Sequence, residues 1–353
     1  MRCWSRLQRT APEPPGIALA PRPSGFTYFK HPSTTNILAI TGPIYLCILV
    51  GYAVTRAGWF AKADMRLFGK FVIQIALPAL LFNALSKRSI GEILNGSYLA
   101  AYAVASLVTL GIGFAWARVV GKRSMSYASM VGMGMSCPNS GFVGYPTALL
   151  TLGATTAGVS LALNMVVENL LLLPLLLALA DLDSHEHGHW RVILAQTLKG
   201  LVRNPMILAI VAGAIASFVG FTPPTPVART IDLFAQASGA LSLFVIGGSL
   251  VGLQVSGMKA TVSVIAAGKL VLHPLVMWAT LMWIVPMEDP LLATAALLTC
   301  AMPMLGIYVI LNQRHGHEGV SSAALLVTTA SSFVTLSGLL WLLGQASGWL
   351  PAH

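Results

Sequence analysis

The chain has 353 residues, 56% of them hydrophobic and only 9% charged, with a mean hydropathy of +0.77. A soluble domain of this size carries about a quarter charged residues, so the composition excludes a water-soluble globular enzyme and indicates an all-α polytopic membrane protein. The formal net charge of +10 marks no nucleic-acid surface, because the basic residues lie between apolar stretches and read as membrane topology.

Residues 1–35 are proline-rich and basic and lack the apolar run of a secretory signal. They read either as a disordered tail or as translated sequence upstream of the true start. From Asn36 onward, apolar segments of bilayer-crossing length follow one another near 37–55, 66–85, 97–117, 126–153, 155–180, 204–220, 231–253, 260–285, 290–312 and 319–343. The charged stretch 181–203 divides them into two halves, 36–180 and 204–345, of five spans each, and residues 346–353 form a short tail. An odd number of spans per half makes the second half enter the membrane from the opposite side, the inverted repeat of many secondary transporters. Internal echoes agree with this: Pro138 and Gly141 in span four match Pro303 and Gly306 in span nine, and Gly158-Val-Ser160 recurs as Gly319-Val-Ser321.

Lysine and arginine set the expected orientation. The odd-numbered loops hold Arg56, Lys62, Arg66, Arg118, Lys122, Arg123, Arg191, Lys199, Arg203, Lys259 and Arg314; the even-numbered loops hold Lys87, Arg88 and Arg229. The odd loops are therefore expected in the cytoplasm and both termini outside, although the basic residues 1–35 argue the other way.

The fourth span contains Met133-Gly-Met-Ser-Cys-Pro-Asn-Ser-Gly-Phe-Val-Gly-Tyr-Pro146. Pro138 and Pro146 each remove a backbone donor and disfavour helix in the preceding residue, and Gly141 and Gly144 add no restraint. A helix break is expected here, and in hydrocarbon it survives only inside protein or beside a wet cavity. Transporters place substrate sites at such breaks.

Asn139-Ser-Gly-Phe-Val-Gly-Tyr-Pro146 resembles the Asn-(Ser/Thr)-Gly-Phe-x-Gly-x-Pro signature of the auxin efflux carrier family. Ile48-Leu-Val-Gly-Tyr52 with Gly58, Ala76-Leu-Pro-Ala-Leu-Leu-Phe82, Arg203-Asn-Pro-Met206 and Ala301-Met-Pro303 extend the resemblance over about residues 37–343. It implies ten transmembrane helices in two inverted five-helix repeats, with broken helices four and nine crossing at mid-membrane. It further implies a cytoplasmic (inner) membrane location, an organic-anion substrate, an alternating-access cycle and a scaffold of spans one, two, six and seven; a homodimer is also compatible with it. The Met302–Tyr308 stretch is similar to malonate-transporter members. Where many relatives carry an asparagine after the span-nine proline, this chain has Ile307, which weakens any symmetric polar pair at the crossing. On this resemblance the substrate site comprises Asn139, Gly141, Tyr145, Pro303, Gly306 and Tyr308, with Pro138, Pro146, Gly144 and Pro303 breaking the helices.

Two readings of Asn139 stand side by side: a donor to a substrate carboxylate, or a side chain that satisfies backbone groups orphaned by Pro138. Glu168, with Asn164 and Asn169, lies inside span five, where a carboxyl group must face protein or water. It either takes a coupling proton, or pairs with Lys269, or joins two helices as a hydrogen-bonded acid. Lys269 and His273 share a face of span eight and either balance an anion or serve local packing. Sodium coupling, as in the related bile-acid-symporter-like fold, and a non-translocating sensor are the alternatives. Gln74, Asn83 and Gln254 read as interhelical hydrogen-bond partners, and Gly111, Gly113, Gly247 and Gly248 as helix-packing positions. His185, Glu186, His187 and His189 read as solvated linker. Cys3, Cys47, Cys137 and Cys300 have no zinc-like spacing, and no phosphate loop or catalytic-triad motif occurs. No metal, no cofactor and no enzymatic activity is expected.

Overall fold

Polar residues at the edges of the apolar stretches decide where helices begin. Asn95, Ser124, Asn204 and Asp289 each accept a backbone N–H from the first turn that follows, which satisfies donors that a helix start otherwise leaves bare. Pro205 and Pro290 then take the first helical position, where the missing N–H costs nothing. The computed structural model describes residues 34–88, 95–181, 199–200, 202–253, 259–313 and 315–345. The terminal tails, the His185–His189 tract and Gln254 lie outside these.

The described residues fold into α1 (Thr34–Arg56), α2 (Lys62–Ser86), α3 (Gly96–Val120), α4 (Met125–Ser136), α5 (Tyr145–Leu152) and α6 (Ala154–Asp181). They continue with α7 (Pro205–Phe218), α8 (Thr225–Ser249), α9 (Lys259–Trp283), α10 (Pro290–Cys300), α11 (Tyr308–Gln313) and α12 (Glu318–Gln345). By length and apolar composition α2, α3, α6, α8, α9 and α12 can cross a membrane, and α1, α7 and α10 are shorter apolar helices. The protein is thus an all-helical, multi-pass membrane protein.

Four helical stretches share a feature absent from the periodicity reading. Val72–Ala76, Ser140–Gly144, Glu168–Leu172 and Gly268–Leu272 are each one π-helical turn, and each is followed after one residue by a proline: Pro78, Pro146, Pro174 and Pro274. A proline cannot donate to the carbonyl four residues back, and its ring presses on it. The residue before the proline instead reaches five back, as Leu77 does to Val72 and His273 to Gly268, so the helix widens and continues. Pro146 therefore does not break its helix as expected. The interruption within span four is Cys137–Asn139 alone, with Gly153 ending the span, whereas the interruption in span nine runs over 301–307.

The helices sort into two groups. α1 packs most extensively on α8 and α2 on α7, while α8 also lies along α2. In the second group α3 and α6 flank α4, α5 packs on α6, and α9 packs on α3, α10 and α12. A small apolar cluster of Ile44, Ile48, Val143, Leu243, Ile246 and Met302 joins the groups where α8 meets the interrupted segments.

Glycine sets the closest approach within the first group. A Cβ on Gly51 would lie 2.0 Å from the Phe244 carbonyl oxygen, and one on Gly247 would lie 1.8 Å from that of Ile48. Gly113 packs similarly against Met135, but Gly111 meets nothing within 4 Å and is no packing position. Gln74 is exposed and makes no interhelical bond, in contrast to Asn83, whose Nδ2 donates to Asp232 Oδ1 at 2.6 Å. Gly51→Ala and Gly247→Ala are expected to cost about 3 kcal/mol or more by overpacking, and Gly111→Ala to stabilise by up to about 1 kcal/mol. Thermal melting of the detergent-purified protein measures all three.

Candidate functional site

The two interruptions meet. Asn139 N–H donates to the Pro303 carbonyl at 2.8 Å, and Leu305 N–H to the Cys137 carbonyl at 3.1 Å, forming one antiparallel bridge between Pro138 and Met304. Backbone groups that neither half-helix can satisfy are thereby satisfied by the other break.

Asn139 uses the two ends of its side-chain amide differently. Its Oδ1 accepts from Phe142 N–H at 3.1 Å and caps the helix that starts at Ser140. Its Nδ2 makes no hydrogen bond and faces Gly306, where an added Cβ would lie 3.7 Å away. Gly306 and Ile307 are exposed, so the surface of the protein lies close to this nitrogen. The backbone-repair reading thus describes the oxygen and leaves the nitrogen free for a ligand.

Below the bridge, α3 and α6 are joined by two rungs. Tyr98 OH donates to Asn164 Oδ1 at 2.9 Å and Tyr102 OH to Glu168 Oε1 at 2.7 Å. Both pairs are 66 residues apart in sequence, so the helices run in the same direction. Asn164 Nδ2 continues to Thr299 Oγ1 on α10, and Ser140 Oγ, on the first residue of the capped half-helix, adds a second donor to Glu168 Oε1. Glu168 Oε2 receives no hydrogen bond. A carboxylate at a helix N-terminus complements the dipole there.

Lys269 is fully buried and does not pair with Glu168. Its Nζ donates to the carbonyl of Cys300, the last residue of α10, at 3.1 Å and to His273 Nδ1 at 2.7 Å. A cation at a helix C-terminus complements the opposite dipole end. With Nδ1 accepting, His273 carries its proton on Nε2, which faces Ser106 Oγ at 3.3 Å. Glu168 and Lys269 therefore hold opposite ends of two half-helices, and the expected direct pair does not form.

The remaining expected residues are placed as follows. Pro138 and Pro303 lie in the bridge, buried. Tyr145 is buried with its hydroxyl toward Ser238 of α8, and Gly141 lies against Leu77. Gly144 sits in the π turn over the Asn139 carbonyl, to which its N–H donates at 2.8 Å. Tyr308 is fully buried, and its hydroxyl donates to the Met130 carbonyl at 3.0 Å. Ile307 brings no polar contact to the crossing. Sequence reasoning missed Tyr98, Tyr102, Ser106, Ser140 and Thr299. The one signal it offered was the matched four-residue spacing of Tyr98/Tyr102 and Asn164/Glu168. Among the described residues no three His, Cys, Asp or Glu side chains gather as metal ligands.

A family model described as "Membrane transport protein" matches residues 39–340. The chain belongs to this family, that of the auxin efflux carriers. It is 30% identical over 321 residues to a Rhizobium meliloti protein named "Putative malonate transporter", covering 90% of this chain and 98% of that protein. It is also 25% identical over 208 residues to the "Uncharacterized transporter YfdV" of Escherichia coli and of Shigella flexneri, covering 58% of this chain and 66% of each of those. Family and relatives are transporters, not enzymes. In this carrier, Tyr308 ties the short α11 to α4 through one buried hydrogen bond. Tyr308→Phe is expected to lower stability by about 1 kcal/mol, read as a lower melting temperature in detergent.

Proposed function

We propose that this carrier moves a small organic anion, a carboxylate such as malonate, across the cytoplasmic membrane by alternating access as a secondary active transporter. In this reading α4 with α5 and α10 with α11 are the fourth and ninth of ten spans, arranged as two inverted five-helix repeats that cross at mid-membrane. The group of α1, α2, α7 and α8 is the scaffold, past which the crossing moves. Orientation follows the basic loops, with both termini outside.

The observation that carries the proposal is the unbonded amide nitrogen of Asn139 beside the exposed Gly306. A donor held at a helix start, with the dipole's positive end behind it, suits a carboxylate. Pro138, Pro303, Gly141 and Gly306 shape the space, Tyr145 lines its α8 side, and Tyr308 acts as a lock. Glu168 is the coupling residue: Oε1 is held by Ser140 and Tyr102, and Oε2 takes and releases the proton as the crossing moves. Asn164, Lys269 and His273 keep the neighbouring half-helices in place.

Malonate counterflow into preloaded proteoliposomes tests this, with a panel of other carboxylates alongside. Asn139→Asp keeps an oxygen to cap the helix but replaces the donor with a negative charge. Uptake is expected to fall at least tenfold at an unchanged melting temperature, whereas Asn139→Ala loses both cap and uptake. Full uptake by Asn139→Asp would return Asn139 to backbone repair alone. Glu168→Gln can still accept from Ser140 and Tyr102, and its uptake is expected to lose dependence on a proton gradient. A gradient response kept in Glu168→Gln, or a loss confined to sodium dependence, would remove the proton-coupling role.

A further inference from the structure

Helix α8 runs past the crossing and presents one unusual group to it. Ser242 is 0% exposed, and its Oγ makes no hydrogen bond, not even to the carbonyl one turn back that buried serines in helices commonly use. Ser136, Thr147 and Thr280 do make that bond, to Gly132, Val143 and Val276. Among the described residues Thr55 of α1 and Ser337 of α12 share its lack of a partner, Thr55 lying against Gly248 of α8. The neighbours of Ser242 on the same face locate it. Gly239 faces Leu149 of α5, and Ile246 lies 3.6 Å from where a Cβ on Gly306 would stand. On the other flank Val245 faces Gly69 of α2. Ser242 is one turn from Ile246 and shares the face of α8 that carries these contacts, the face turned toward the seam between the α2–α8 pair and the crossing.

A buried hydroxyl without a partner destabilises the conformation that contains it. Two arrangements can satisfy it: a rotation back to the carbonyl of Ser238, or an acceptor brought into the seam. Asn139 Nδ2 approaches the same Gly306 from the other side, at 3.7 Å from that Cβ position. Two unpartnered donors, one on each side of the seam, match the acceptor oxygens of one small carboxylate.

We infer that Ser242 is the scaffold-side specificity residue, donating its hydroxyl to a carboxylate oxygen of the anion whose other contact is Asn139. This rests on the transport reading above. Ser242 is fully buried in this structure, so the hydroxyl gains its acceptor when α8 and the crossing part to admit substrate. A dicarboxylate can offer a separate carboxylate to each donor, whereas a monocarboxylate has one group to share between them.

The test compares wild type and Ser242→Ala in malonate and acetate counterflow and in thermal melting without substrate. Ser242→Ala removes only the hydroxyl. Its KM for malonate is expected to rise about tenfold, the loss of one hydrogen bond to a charged group, and its preference for malonate over acetate to shrink. Its melting temperature without substrate stays level or rises, because an unpartnered buried hydroxyl is gone. A lower melting temperature would show that Ser242 has a structural partner, and an unchanged malonate KM would show that it does not meet substrate; either overturns the inference while leaving transport standing. A wild type that exchanges neither malonate nor any other carboxylate of the panel would overturn the transport reading and this inference together.

Discussion

A backbone amide buried among apolar helices has no water to turn to. The architecture around the site follows from that constraint. Each interrupted helix exposes N–H and carbonyl groups that its own segment cannot satisfy, at several kcal/mol apiece in hydrocarbon. The two interruptions meet these needs by exchanging one hydrogen bond in each direction, Asn139 to Pro303 and Leu305 to Cys137. Prolines suit such a place because they bring no N–H to satisfy, so the bridge closes with few bonds. The residues involved lie more than 160 apart in sequence, between Cys137 and Leu305. Each break thus meets part of its backbone needs through the other.

The buried charges obey the same logic at the next level. Glu168 and Lys269 are an acid and a base in one polar interior, yet they do not pair with each other. The glutamate sits at the positive start of the half-helix opened by Ser140, and the lysine at the negative end of α10. Besides the helix dipoles, neutral hydroxyl donors hold the glutamate, and a carbonyl and an imidazole nitrogen accept from the lysine. A direct pair would draw Lys269 from the Cys300 carbonyl and Glu168 from the Ser140 hydroxyl. The arrangement in place keeps the region between them polar and leaves Asn139 Nδ2 and Glu168 Oε2 unoccupied.

How much of this was legible depended on the range of each interaction. Apolar length and the density of charge gave the helices and their membrane character, because both are local properties of the chain. Pro138, Asn139 and the Pro-x-x-Gly echo at Pro303 pointed to paired interruptions, because proline acts on its own neighbours. The hydroxyl network was not legible: Tyr98, Tyr102, Ser140 and Thr299 are ordinary residues in apolar helices, and only partners on other helices give them meaning. Gly111 and Gly51 illustrate the same limit. The first looked like a packing position and faces open space, whereas the second lies against the Phe244 carbonyl and attracted notice only as part of a motif. Nothing in the local sequence distinguishes them.

The π turns carry a consequence for how such a chain changes over time. Each holds one residue more than an α-helix needs over the same rise, and a following proline stabilises it. A single residue gained or lost at Val72–Ala76, Glu168–Leu172 or Gly268–Leu272 would leave a continuous helix. It would also turn everything beyond it by about 100°. The sequence would record a one-letter gap, and the protein would feel a rotation that presents a different set of side chains to its interior. Residues aligned by number across relatives beyond such a point need not face the same way, and the stretch from Pro274 to Trp283 is the one most directly subject to it.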